Sequence, residues 1–461
     1  MQSIKSQKDE IGALREAHQV EELLERLSKL PPVEIAELLW DMELPDLLEI
    51  LAGLPSDLQG LTLSYFDIPM LHQIFDAMDR RTFARAFVAM DTDVRADLYQ
   101  DLSKENQLQL LPFLDKKTRE DVIHLSSYEP ETAGGIMTTD FATVEMEMTV
   151  DEAIEKIRRD SPSRKMIYYI YAVNQEMKME GFFTLKDLIL ARPSTRIKKI
   201  VRTEFVYADV NEDQESVARK IEKYDLVAIP VLNFLGQLVG IVNHDEAISV
   251  IRAEHTEDLE KFMGILPGEP ELEYLDRPAW MHFKNRVVWL VSLAGVGIIS
   301  GMIIHRFEDA ISRLVVLALY MPMVADTGGN AGSQAATVVV RALALGQITL
   351  KEWALVLWKE LKIAVMLCLV LGVLSFGKIL FLSYETDIPA AYNLLSIASA
   401  ISLALALQVV SATLIGAGLP LLVRQLGGDP AVAASPAITT IVDITGLLLY
   451  FGTAMLLLGI G

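Results

Sequence analysis

Residues Asp429 to Phe451 read DPAVAASPAITTIVDITGLLLYF, and this stretch decides how the chain must be built. From Ala431 to Ile460 the chain is apolar, small or hydroxylated, and its one charge is Asp443. A run of that length exceeds the roughly 20 residues a helix needs to cross a bilayer. A carboxylate inside such a span costs roughly 2.5 to 3.5 kcal/mol on insertion scales and is usually retained for function. Asp443 is either satisfied by a neighbouring hydroxyl such as Thr439, Thr440 or Thr445, or it faces a polar path and holds a cation. A hard divalent cation that keeps several waters and is held by one or two carboxylates fits the second reading. A two-fold dimer would supply a pair of such carboxylates about its axis.

Working outward, four more apolar runs precede this one. Val287 to Ile304 is uncharged and just long enough to span. Leu314 to Val340 carries PMVADTGGNAGSQ from Pro322 to Gln334, whose proline, paired glycines and amide predict a helix broken at mid-membrane, with backbone carbonyls turned to a watery path. The alternative is a packing kink in which small residues bring helices close. Asn330 and Asp326 argue against that, because packing needs neither. Ile363 to Gly377 is flanked by Lys359, Lys362 and Lys378, whose stems can snorkel. Ile388 to Val423, with Pro389 and Pro420, holds a long span and its turn. Five spans place the termini on opposite sides. Bases at Arg277, Lys284, Arg286, Arg341, Lys351, Lys359 and Arg424 alternate with loops bearing Glu308, Asp309, Glu385 and Asp387. By the positive-inside rule the N-terminal half is cytoplasmic and Gly461 emerges outside.

The charge is divided along the same line. The 461 residues hold 41 Lys plus Arg against 62 Asp plus Glu, net −21, yet the mean hydropathy is +0.31. Residues 1–286 carry 53 acids and 33 bases, whereas residues 287–461 carry 9 and 8. An acidic soluble half is therefore joined to a nearly neutral apolar half. That acidity repels phosphate backbones, which excludes nucleic acid as a partner and favours cations. Cys368 is the single cysteine, so neither a disulfide framework nor a cysteine zinc site is available. The polar N-terminus lacks the pattern of a cleavable signal peptide.

In the acidic half, Leu30, Met42, Leu54, Phe66, Met78, Met90, Leu102 and Leu114 recur every 12 residues. Apolar pairs such as Leu38/Leu39, Ile50/Leu51, Ala86/Phe87, Leu110/Leu111 and Val122/Ile123 follow. The pattern predicts an all-α superhelical N-domain of short helices, each stabilised by its neighbours, with Asp91, Ser103 and Asp115 as N-caps. After Gly134-Gly135 two segments, Met148–Ala191 and Asn211–Ile251, each combine an amphipathic helix, a β-rich run and a glycine-led step into another helix. The runs Tyr168–Val173 and Ala228–Leu232 predict buried strands. These α/β units resemble a tandem CBS-domain pair, a module whose clefts often take adenine nucleotides. Residues 252–280 are acidic, and the pattern predicts a helix up to Pro267.

Taken together, the acidic N-domain (1–130), the CBS pair (131–254), the amphipathic connecting helix (255–282) and the membrane domain (283–461) resemble the MgtE family of magnesium channels, most specifically in PMVADTGGNAGSQ and DPAVAASPAITTIVDITGLLLYF. The resemblance implies a homodimer in the cell (inner) membrane whose second and fifth spans line a magnesium pore. By position the pore residues are Asp443, Thr439, Asn330, Gly329, Ser333, Ser435 and Asp326. The family can have Asn at 333 and 435 and a small residue at 326. It also implies closure by cytoplasmic Mg2+ bound to Asp91, Asp93 and Asp97 of the N-domain, and to Asp213, Glu215, Glu222, Asp225, Glu246, Glu254, Glu257 and Asp258. Ser249 stands where the family can have an acid. ATP would modulate closure from a cleft containing Tyr169, Thr184, Lys186 and Asp187, and Asn243 replaces the corresponding threonine in the second copy.

Two other readings stand beside this one: a proton- or sodium-coupled carrier for cobalt, nickel or manganese, and a nucleotide-sensing receptor whose spans only anchor it. No Walker motif, HExxH pattern or nucleophile elbow supports an enzyme.

Overall fold

The computed structural model describes residues 20–160, 168–266, 274, 277–386, 388–433 and 435–460. The chain divides into two compact units, residues 1–254 and 255–461.

The first unit opens with α1 (Val20–Leu27), followed by α2 (Pro32–Leu39), α3 (Leu44–Gly53), α4 (Ser56–Leu63), α5 (Ile68–Ala77), α6 (Arg80–Ala89), α7 (Thr92–Asp101), α8 (Lys104–Leu110) and α9 (Lys116–Leu125). From α2 onward each helix starts 12 residues after the last, in register with the sequence repeat. Each helix packs on the next but one, so the stack forms two layers around one core. Leu39, Leu51, Phe75, Phe83 and Phe87 are fully buried in it, while Leu54, Phe66, Met90, Leu102 and Leu114 fill the corners between helices. A Cβ at Gly60 would strike the Ala86 carbonyl, so glycine is needed where α4 meets α6. Asp67, Asp79, Ser103 and Asp115 cap their helices by accepting a backbone N–H three residues on. Asp91, against expectation, accepts no such cap bond.

Two three-stranded sheets follow. β1 (Ala142–Val144) pairs parallel with β2 (Tyr169–Val173), which pairs antiparallel with β3 (Met179–Thr184). β4 (Ala208–Asp209), β5 (Ala228–Leu232) and β6 (Leu238–Asn243) repeat that order. Helices α10 (Val150–Asp160), α11 (Leu185–Leu190) and α12 (Gln214–Tyr224) complete the two units, so both strand expectations hold within a residue. The final helix, α13 (His244–Phe262), continues past the sheet. It ends before Pro267, because Gly264 takes φ +70° and the Ile265 N–H turns back to the Glu260 carbonyl at 2.8 Å. The rest of the connecting segment, 267–273 and 275–276, lies outside the described residues, as does Asp387.

The second unit contains α14 (Ala279–Arg306), the short α15 (Glu308–Arg313), α16 (Val316–Ala344), α17 (Trp353–Leu382), α18 (Leu394–Gln425) and α19 (Ser435–Leu458). α18 is its axis, packed by α16, α17 and α19. Among the described residues four segments are long and apolar enough to cross a membrane: Ala279–Arg306, Leu350–Leu382, Leu394–Gln425 and Ser435–Leu458.

The expected second span departs from its prediction in two ways. At 29 residues α16 is long enough, but its polar middle keeps it out of that group of four. It is also one continuous helix through Pro322 and the glycines, not a broken one. Pro322 lies within the first two turns. The glycines sit where neighbours press: a Cβ at Gly328 would overlap Gln408, and one at Gly416 of α18 would overlap the Gly332 carbonyl. Close helix approach is what small residues allow inside a membrane, so for the glycines the packing alternative was the correct one.

Candidate ion path and acidic clusters

Continuity of α16 puts its polar residues in a row. Asp326, Asn330, Ser333, Gln334 and Thr337 fall at i, i+4, i+7, i+8 and i+11, one face of a 3.6-residue helix. In this face Asp326, Asn330, Gln334 and Thr337 are exposed and Ser333 is half-buried. On α19, Ser435, Thr439 and Asp443 fall at i, i+4 and i+8, all half-buried. The rows meet. Ser435 Oγ donates to Ser333 Oγ at 3.0 Å, Ser333 Oγ and Thr439 Oγ1 are 3.3 Å apart, and Thr439 Oγ1 donates to the Ser435 carbonyl at 3.0 Å. A Cβ at Gly329 would stand 3.0 Å from Thr439 Cγ2, so the glycine admits the threonine to the seam. Asp326 lies near enough to Asp443 for the two charges to act on each other. All seven expected pore residues therefore belong to one polar surface shared by α16 and α19.

Sequence reading missed one residue behind this surface. Gln408 of α18 is fully buried, and its Nε2 donates to the Val442 carbonyl at 2.8 Å, next to Asp443. Its signal was that it is the one amide in the interior of that apolar helix.

In the first unit, the start of α7 faces the start of α13. Burial pushes the Glu246 carboxyl up to about 8, and Asp93, Asp97 and Asp245 add to the shift. Burial also raises Asp93, with Asp91 and Asp245 contributing. Thus Asp91, Asp93, Asp97 and Glu246 share one acidic field together with Asp245, which sequence reading overlooked although it adjoins Glu246. The other expected acids have contacts or positions of their own. Asp213 caps α12 by accepting the Ser216 N–H at 3.1 Å, Glu215 pairs with Arg219, and Glu254 accepts from Gln214 Nε2 at 2.8 Å. Glu222 is exposed on α12 and Asp225 ends that helix at φ +50°. Glu257 and Asp258 fall in the second unit, where Lys261 bridges Glu257 at 2.8 Å and Asp429 at 3.0 Å. Those two carboxylates hold the Lys261 ammonium above its ordinary range although burial opposes it. Among the described residues no three carboxylate, imidazole or thiolate groups converge closely enough to hold a metal ion.

Between the two sheets lies a cavity of about 400 Å3 lined by Tyr169, Tyr171, Phe182, Phe205, Tyr224 and Glu204, among others. The buried Tyr171 hydroxyl has no partner there. Thr184 pairs across the ladder with Tyr169. Its hydroxyl is engaged by Asp187 in a capping box, Arg202 bridges Asp187 at 3.1 Å, and Lys186 is exposed.

A helical bundle with a polar seam, in a chain that also holds an acidic helical stack and a paired α/β module, defines a membrane transport protein. Residues 321–453 match the family described as a divalent cation transporter (MgtE), residues 30–131 its intracellular N domain, and residues 133–194 and 197–253 CBS domains. The magnesium transporter MgtE of Thermus thermophilus is 38% identical over 369 residues, 79% of either chain. That of Bacillus subtilis is 33% identical over 365 residues, covering 79% of this chain and 78% of its own. The crystal structure of the soluble part of a magnesium transporter, 28% identical, matches 55% of this chain and 99% of its own with a TM-score of 0.51. The chain belongs to the MgtE family of magnesium transporters.

Proposed function

We propose that this chain is a magnesium channel of the cell membrane that works as a homodimer, with its N-terminal half cytoplasmic, its C-terminus outside, and α16, second in chain order, completing five spans. The observation that carries the reading is the joint polar surface of α16 and α19, open on an otherwise apolar bundle. Exposed Asp326, Asn330 and Thr337 cannot face lipid cheaply, because an ionisable or amide group in hydrocarbon costs several kcal/mol unless solvated or paired. A two-fold copy would turn two such half-grooves into one aqueous path with two Asp443 carboxylates. A hydrated magnesium ion, which keeps most of its waters, would be held there by carboxylates and passed along hydroxyls.

Cytoplasmic magnesium closes the path. The raised Asp93 and Glu246 carboxyls fit an effector site, because their mutual repulsion is what a divalent ion with hard oxygen ligands relieves. Among the described residues no three acids converge, and closure draws the acid-bearing elements together around the ion. The aromatic cavity fits the base and ribose of an adenine nucleotide, with Tyr171 as an unpaired donor and Lys186 and Arg202 as cations for phosphates. ATP bound there modulates closure.

Reconstitution tests the reading. Purified protein in liposomes is expected to pass magnesium, and Asp443→Ala to abolish the flux. Undiminished flux in that variant contradicts the assigned path.

A further inference from the structure

The amide of Gln408 sits at the meeting point of three helices, and its environment is costly. The residue is fully buried, among Ala404, Leu405, Val409 and Ala412, all themselves buried on α18. Room for it exists only because Gly328 of α16 and Gly446 of α19 lack a Cβ, since one added at either position would overlap the amide. Nε2 makes one hydrogen bond, to the Val442 carbonyl, while Oε1 is buried with no partner. A neutral hydrogen bond contributes little net, and an orphaned buried acceptor costs more than that bond returns. Each glycine inside a helix costs further stability relative to alanine. Stability therefore does not explain the residue, and an apolar side chain of equal length would suit the site better.

What the bond fixes is rotation. Val442 is fully buried, its side chain lies against Gly332 of α16, and its carbonyl, turned to α18, also accepts from Thr445 Oγ1 at 3.0 Å. The next residue along α19 lies about 100° further round the helix. That residue is Asp443, and the turn brings it onto the row of Ser435 and Thr439. Tying one carbonyl to α18 thus sets the azimuth of the carboxylate one residue on. We propose that Gln408 is a positioning residue for ion selection: through Val442 it holds Asp443 at the angle where the α16 and α19 rows meet. The inference rests on the ion-path reading and adds a residue that touches no ion.

The test uses the full chain in liposomes, with magnesium and cobalt entry measured for the wild type, Gln408→Met and Gly446→Ala, alongside thermal unfolding in detergent. Gln408→Met keeps the length and removes the amide. It is expected to leave the unfolding temperature unchanged or raised, to cut magnesium entry by about tenfold, and to change the magnesium-to-cobalt ratio. Gly446→Ala, which drives the amide away from Val442 with Gln408 still present, is expected to change the ratio in the same direction. Wild-type flux and ratio in Gln408→Met would overturn the proposal. So would a loss of flux and stability together at an unchanged ratio, which marks mere packing. A wild type that passes no magnesium would instead overturn the ion-path reading, and this inference with it.

Discussion

Glu246 concentrates in one side chain the burial and charge repulsion that the proposed magnesium sensor would relieve. Its carboxyl is pushed up to about 8 by burial and by Asp93, Asp97 and Asp245, against an ordinary value near 4.5. Between those values the folded protein binds a proton that the unfolded chain releases. Stability without magnesium is therefore greatest below about pH 4.5 at this site and is lost as pH rises toward 8. Resistance of the full-length protein to proteolysis in EDTA is expected to fall over that window, with most of the slope absent in Glu246→Gln and in the wild type with millimolar magnesium. An unchanged slope in the variant would remove Glu246 from the sensor. At this scale the sequence was a partial guide. Asp443 was legible because a lone carboxylate in an apolar run has one obvious cost, and the hydroxyls four residues apart share its face. Gln408 was not, because a neutral amide raises no charge signal and its meaning depends on glycines in two other helices.

At the level of elements, periodicity proved the more reliable guide and composition the less. The 12-residue repeat gave the helix starts of the N-terminal stack in register, because each turn between helices must return an apolar corner residue to the same core. Composition misled at α16. Proline and glycine predict a break when a helix is considered alone, but packing on α18 and α19 overrides that preference. The approach of Gly416 to the Gly332 carbonyl is the tightest expression of this. Gly416→Ala is expected to destabilise the membrane unit by about 1 to 3 kcal/mol, since an added methyl there meets backbone that cannot move aside. Thermal unfolding in detergent measures it, and an unfolding temperature equal to wild type would show that the helices are not so closely apposed in the membrane. The end of α13 at Gly264, before Pro267, has a similar origin: a glycine free to take positive φ stops the helix before the proline is reached.

For the whole molecule, the charge division is the organising fact. About twenty surplus negative charges lie in residues 1–286, and the remainder of the chain is almost neutral. A module with that imbalance repels itself when compact, and divalent cations relieve the repulsion more effectively than sodium at equal ionic strength. Millimolar magnesium is therefore expected to protect the acidic N-terminal half of the full-length protein from protease, with sodium at matched ionic strength giving little protection. Equal digestion in the two salts would show that the acidity serves solubility alone. Residue type and repeat length made the order of domains legible from the sequence. The joining of the α16 and α19 rows into one surface was legible only as a resemblance, since it depends on which helix faces which.

Patch recording from liposomes holding the full-length protein, with magnesium the sole permeant cation and its concentration varied on the cytoplasmic face, tests most directly whether the α16 and α19 rows conduct the ion. The expected result is a magnesium current at low cytoplasmic magnesium that closes at millimolar concentrations, and no such current in Asp443→Ala. A current of wild-type size and magnesium dependence in Asp443→Ala would contradict the assignment of that surface as the path.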